Sequence, residues 1–189
     1  MFRKTARLLA SLILLAATSA QAAPEQYQLD TARSEVGFGF TLQGATVEGV
    51  MPVKRADMRI DLDNVPASSV DVTLNARNAS AGVFFVTQTM KGPQVLDTAQ
   101  HPEIRFRSTR FNGDLNGATV TGDLTIRGVT RPVTLTAGLY RQRGTQAGDR
   151  SQLSVLLTGK ISRSAFGAGG FPGFVEDPID LRILARIQK

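Results

Sequence analysis

The chain has no cysteine among its 189 residues. That absence rules out a disulfide framework, a thiol nucleophile, a cysteine-ligated zinc site and a lipid-modified N-terminal thiol. Histidine is almost as scarce. The single one, His101, stands before Pro102, so any Ser/His/Asp triad would have to use it, yet no Gly-x-Ser-x-Gly elbow is present to supply the nucleophile. The glycine-rich stretch Phe166 to Phe174 lacks the Gly-Lys-Ser/Thr ending of a phosphate-binding loop and is crowded with phenylalanine instead. Long apolar runs are missing too. Leu8 to Ala17 spans ten residues, about half of the roughly 20 that a membrane-spanning helix needs.

That short run has another meaning. Arg3, Lys4 and Arg7 precede it and Ala20-Gln21-Ala22 follows it, which is the layout of a secretory signal peptide with a small-x-small cleavage site. The sequence predicts a leader at 1–22 and a mature domain at 23–189, exported to the periplasm in soluble form. Of the 22 basic residues, three leave with the leader, whereas all 16 acidic ones stay. The mature net charge of about +3, without a recognised nucleic-acid motif, argues against a nucleic-acid partner. Weak attraction to an anionic membrane surface remains compatible with it. N-terminal sequencing of the exported protein is expected to begin at Ala23; a start at Met1 would contradict the leader assignment.

Period-two alternation fills the remainder. Val36, Phe38, Phe40 and Leu42 lead; Val47, Met51 and Val53, then Met58, Ile60 and Leu62, then Val70, Val72 and Leu74 follow. The second half repeats the pattern through Ile104 and Phe106, Val120 to Ile126, Val133 to Leu139, Leu153 to Ile161, and Ile179 to Ile187. Eight or nine antiparallel strands are predicted, with Gly122 to Leu135 the clearest hairpin: Arg127 to Arg131 form its loop, and Pro132 opens the second arm. Ala81 to Pro102 breaks the alternation, and short helices or a lid-like connection fit it best. Strands with one apolar face must pack as two sheets or close into a barrel. Periodicity alone leaves a sandwich, a filled barrel and a hollow barrel open.

Candidate chemistry is sparse. Asp57, Asp61, Asp63 and Asp71 are close in sequence and would suit acid/base work only if two faced one cleft. The first three share parity against Met58, Ile60 and Leu62, which predicts that they point to water. Phenylalanine is better placed to act. Phe166, Phe171 and Phe174 in one connection, and Val83-Phe84-Phe85-Val86 in another, either cap the core or line a mouth.

Several segments resemble the YceI-like family of exported, lipocalin-like barrels that bind polyisoprenoids and related amphiphiles. They are the opening YQLDTARSEVGF from Tyr27 to Phe38, HPEIRFRST from His101 to Thr109, GDLTIRGVTRPVTL from Gly122 to Leu135, and ISRSAFG from Ile161 to Gly167. The chain departs from the family pattern where histidines are frequent: Arg33 precedes the opening serine, Leu42-Gln43 ends the first long strand, and Val86-Thr87-Gln88-Thr89 replaces a polar cluster. The resemblance implies an all-β fold, a single antiparallel eight-stranded lipocalin-like barrel with a short helical connection between strands four and five. It implies a non-enzymatic carrier, without a cofactor, for a long-chain amphiphilic lipid such as a polyisoprenoid, a quinone-like molecule or a fatty-acyl lipid. Parity then assigns Phe38, Phe40, Phe106, Leu124 and Ile126 to the cavity wall, and Phe84, Phe85, Met90 and Phe171 to its entrance. Transient contact with a membrane surface or a membrane redox protein is a further expectation, while oligomeric state stays open. The competing reading is a filled barrel acting as an envelope-stress or redox-accessory interaction module.

Overall fold

The computed structural model describes residues 23–189, so the expected leader at 1–22 lies outside the described residues. Ten strand segments and one α-helix follow in chain order: β1 (Glu25–Leu29), β2 (Glu35–Leu42), β3 (Ala45–Val50), β4 (Val53–Ile60), β5 (Ser69–Asn75), α1 (Phe84–Lys91), β6 (Glu103–Asp114), β7 (Gly117–Ile126), β8 (Val129–Arg141), β9 (Gln152–Ser162) and β10 (Pro178–Gln188). They form one antiparallel sheet in the order β1-β4-β5-β6-β7-β8-β9-β10-β2-β3, and β1 also pairs with β10.

This double pairing of β10 makes eight barrel strands out of ten segments. One end of β10 meets β1 through Gln28 opposite Gln188, and the other meets β2 from Leu184 opposite Glu35 to Asp180 opposite Gly39. β1 and β2 are thus two lengths of one strand, interrupted at 30–34. β3 and β4 are likewise two lengths of the next, since β3 pairs with β2 and β4 with β1. Met51-Pro52 marks their junction, where Pro52 has no N–H to give a ladder. The sequence pattern separates Val47 to Val53 from Met58 to Leu62, and the structure joins them. Apart from the closing pair of β10 with β1 and β2, every neighbour in the ring is also a neighbour in sequence.

The hairpin from Gly122 to Leu135 is tighter than its sequence suggests. Its turn is Arg127-Gly128 alone, both with positive φ (52° and 75°), which gives the twist that two-residue hairpins favour. Pro132 falls inside β8, opposite Asp123. It is tolerated because β8 pairs with β9 only from Thr136 onward, so the Pro132 stretch has a free side. In β6 the register shifts between Ser108 and Arg110. That extra residue resets the alternation and turns Phe111 onto the same face as Phe106.

Two apolar clusters occupy the two ends of the barrel. One gathers Phe38, Phe40, Met90, Ile104, Leu124, Ile126 and Phe166, and the other Tyr27, Met58, Leu62, Leu153 and Ile187. The connection Ala81 to Pro102, placed by the sequence after the strand of Val70 to Leu74, contains α1. Val86 and Met90 of that helix pack onto the first cluster. The loop from Arg163 to Asp177 folds over the same end. Gly170 N–H donates to Gln94 O, and Gln43 N–H donates to Phe174 O.

Arg163 holds that loop in shape. Its guanidinium, 7% exposed, donates to four carbonyls: Glu176 at 2.9 Å, Ala168 at 2.6 Å, Gly170 at 2.7 Å and Val175 at 2.8 Å. The hydroxyls of Ser162 and Ser164, with the Ser164 N–H, hold the Asp177 carboxyl below the usual carboxylate range at the loop's far end. Bonds from a charged donor are worth about 1.5–3 kcal/mol each but are not additive. Arg163→Met is therefore expected to lower unfolding free energy by about 2–4 kcal/mol in urea titration. A loss below about 0.5 kcal/mol would show that the loop holds itself without the guanidinium.

Candidate ligand cavity

Closing eight strands leaves an interior that is either filled by side chains or able to hold one small ligand. Here the interior is hollow. A cavity of about 800 Å³ runs through the barrel, within the roughly 300–1,000 Å³ usual for small-molecule sites. Its wall consists almost wholly of inward-facing apolar side chains from the strands, α1 and the Arg163–Asp177 loop. Many of them, including Val36, Leu42, Val133, Ile161 and Leu181, are only half-buried although they pack on the core. Facing an open lumen explains that combination.

Close backbone approaches keep the lumen free. A Cβ on Gly49 would lie 2.3 Å from the Phe38 ring, and one on Gly122 would lie 2.5 Å from the Phe106 ring. Both phenyl groups lie over a glycine, which lets them rest against the wall. Phe38 and Phe40 stack with centroids 6.3 Å apart and planes 12° from parallel.

The structure brings together most of the residues singled out by parity. Phe38, Phe40, Phe106, Leu124 and Ile126 all line the cavity, with Phe106 directly opposite Leu124 across β6 and β7. Met90 lines it from α1 and is buried; Phe85 and Phe171 line it while being 78% and 38% exposed. Phe84 is not among the lining residues. It is 68% exposed and meets Phe85 edge-on at 5.7 Å, because consecutive helical residues point about 100° apart and only one of the pair can turn to the lumen.

Other wall residues differ in how visible they were in the sequence. Phe111 is hidden by the bulge that resets its parity, and Phe174 sits in a loop where alternation gives no direction, whereas Leu42, Met51 and Met58 belong to the alternating runs and line the wall as well. The three loop phenylalanines divide their roles. Phe166 is 2% exposed within the core, whereas Phe171 and Phe174 are at the mouth.

Polar groups on the wall are few. Ser34, Gln43, Ser68, Thr89, Asp114 and Arg163 complete it. Ser34 Oγ accepts from Arg186 N–H, Ser68 Oγ from Asp61 N–H, and Asp114 from Asn116 N–H. Gln43, Thr89 and the carbonyl-bonded Arg163 are the polar side chains at the end covered by α1. At the opposite end the cavity reaches Asp114 and Leu115 at the tip of the β6–β7 hairpin.

None of the four clustered aspartates lines the cavity. Asp57 accepts from Gln26, Asp63 pairs with Arg150 at 2.8 Å, and Asp71 pairs with Arg107 at 2.8 Å. Asp61 differs from the parity expectation: it is 5% exposed and accepts from the Asp63 and Asn64 N–H groups. β4 has ended at Ile60, so strand alternation no longer applies and the carboxylate folds back to close the turn. No two of these carboxylates face a common cleft, which removes the acid/base arrangement they would need. His101 is half-buried beside Gly128, in the connection leading to β6.

An antiparallel barrel of eight sequential strands, closed on itself around an apolar lumen, is a lipocalin-like barrel. Its sequence places it more narrowly. The chain belongs to the YceI-like family, whose domain model matches residues 27–187. It is 32% identical over 123 residues to protein YceI of Escherichia coli O17:K52:H18, covering 65% of this chain and 64% of that protein. The matched region therefore spans less than two thirds of that relative. Among solved structures, BcnA of Burkholderia cenocepacia has a TM-score of 0.74 at 20% identity, covering 84% of this chain and 99% of that one. A polyisoprenoid binding domain from Saccharophagus degradans, implicated in plant cell wall breakdown, has a TM-score of 0.60 at 11% identity, covering 86% and 97%. At those identities the two structures speak for the shared fold.

The lumen's width makes a simple prediction. Leu124→Trp places an indole where the wall faces open space, so the fold is expected to persist by circular dichroism while uptake of geranylgeraniol falls by about tenfold or more. Unchanged uptake would place the ligand elsewhere than beside Leu124.

Proposed function

We propose that the protein is a periplasmic carrier that holds a long apolar chain inside the barrel and performs no chemical step on it. The hollow apolar lumen is the observation that carries this reading, because an 800 Å³ void lined by hydrocarbon forfeits packing that a filled core would gain. A chain drawn from water into it gains about 0.8 kcal/mol per buried methylene. Roughly ten methylenes give about 8 kcal/mol, against a comparable cost of association and ordering. A chain of substantial length is thus needed for firm binding.

A polyisoprenoid is the preferred cargo, with quinone-like and fatty-acyl lipids as the nearest alternatives. Support comes from the family membership and from the polyisoprenoid binding domain that shares the fold. The sparse polar wall fits a cargo whose buried portion is uncharged, since a charge taken into such a lumen without a partner is strongly disfavoured. Any polar head belongs near Gln43 and Thr89.

The test is to purify the protein from the periplasm without detergent, weigh it by native mass spectrometry, and identify what organic solvent extracts from it. A mass increment matching an isoprenoid or other long-chain lipid is expected. An empty barrel that also takes up neither isoprenoid nor fatty-acyl ligands in vitro would overturn the carrier reading and favour an interaction module.

A further inference from the structure

Large apolar side chains left in water are gathered at one end of this barrel. Val83, Phe84 and Phe85 open α1, and Phe171 and Phe174 belong to the loop pinned by Arg163; their exposures are 54%, 68%, 78%, 38% and 57%. The two groups share one rim. The Phe171–Phe174 loop is bonded to Gln94, just beyond α1, and to Gln43 at the β2–β3 turn. Phe85, Phe171 and Phe174 are at once exposed and part of the cavity wall. The lumen therefore reaches the surface in the middle of this patch.

The segments that build the rim are also free of charge. Residues 36–47, 78–90 and 164–175 contain no Asp, Glu, Lys or Arg, in a chain where those residues make up 20%. Charges of both signs surround them: Glu48, Arg77, Lys91 and Glu176 at the borders, with Arg127 bonded to Pro93 O and Val95 O and Arg131 to Ala165 O. An uncharged aromatic tip with a charged collar enters the interfacial zone of a bilayer at little desolvation cost, with its collar left among the head groups. Three others, Val50, Leu115 and Tyr140, are exposed singly outside this group; Leu115 lines the cavity at its opposite end, and no second large apolar residue is exposed beside it.

We propose that this rim is a membrane-docking face: Phe84, Phe85, Phe171 and Phe174 insert into the interfacial zone of a phospholipid bilayer, so that an apolar chain moves between bilayer and lumen without crossing water. The proposal rests on the carrier reading for its purpose and on the rim alone for the docking. The bilayer is the occupant argued for because the patch surrounds the mouth of a lipid-sized cavity, and bilayers are where such chains reside. With a mixed-sign collar, insertion is driven by apolar burial, and docking is expected to change little between low and physiological salt.

The absence of tryptophan makes the test direct. Phe84→Trp and, separately, Tyr140→Trp each give the mature chain one indole. Adding phosphatidylethanolamine/phosphatidylglycerol vesicles is expected to shift the Phe84→Trp emission to the blue, at low and physiological salt alike, and to leave the Tyr140→Trp emission unmoved. No shift at position 84, or equal shifts at both, overturns docking; a shift that grows with protein concentration in the absence of vesicles assigns the patch to self-association and overturns it too. The double variant Val83→Ser/Phe84→Ser, at two exposed rim residues that do not line the cavity, is expected to take up geranylgeraniol from dilute ethanol within about twofold of the unmodified protein, but from vesicles about tenfold or more slowly. Equal loss by both routes, with circular dichroism unchanged, would make these residues cargo contacts and contradict docking. Failure of the unmodified protein to take up geranylgeraniol by either route counts against the carrier reading, and the emission shift then decides docking by itself.

Discussion

The double pairing of β10 is the constraint on which the rest depends. By meeting β1 at one end and β2 at the other, it closes the sheet and confines free edges to short stretches such as β3 and the Pro132 end of β8. Closure also fixes which way each side chain points, because one ladder register passes around the whole ring. An inward set that is apolar from every strand then has a single place to go. The lumen follows from that geometry, and so does its chemistry.

Keeping the lumen open has a structural cost. A void lined by Val, Leu, Ile and Phe gives up contacts that close packing would provide, and the protein concentrates its dense packing at the two ends. Tyr27 and Ile187 seal one end at 1% and 2% exposure, with the Tyr27 hydroxyl donating to Arg150 O at 2.8 Å. Phe166 and Met90 pack the other under a loop that Arg163 organises. Stability is thus carried by the ends and the ladder, leaving the middle for cargo.

Much of this was legible in the sequence, for reasons that also explain what was not. Strict alternation at Phe38 and Phe40, or at Leu124 and Ile126, gives direction as soon as the strand is recognised, and those residues do face the lumen. Alternation fails wherever the ladder gains a residue or stops. The extra residue in β6 conceals Phe111, and the end of β4 at Ile60 turns Asp61 inward despite its parity with Asp57. The count of strands is another case: Val47 to Val53 and Met58 to Leu62 read as separate because Lys54, Arg55 and Asp57 interrupt the apolar pattern, although β3 and β4 continue one course through the barrel. In α1, a run of large apolar residues left capping the core and lining a mouth both open; the helix has one face to bury, so Val86 and Met90 pack on the core and Phe84 and Phe85 are left at the rim.

Hollowness is the central claim, since a barrel of the same topology with a filled interior would support neither a carrier nor a lipid-transfer mouth. The most direct measurement is a crystal structure of the protein saturated with geranylgeraniol. The account predicts one elongated stretch of difference density within the lumen, between Phe38 and Phe40 on one wall and Leu124 and Ile126 on the other. A collapsed interior, or a chain bound only on the outer surface, would contradict it.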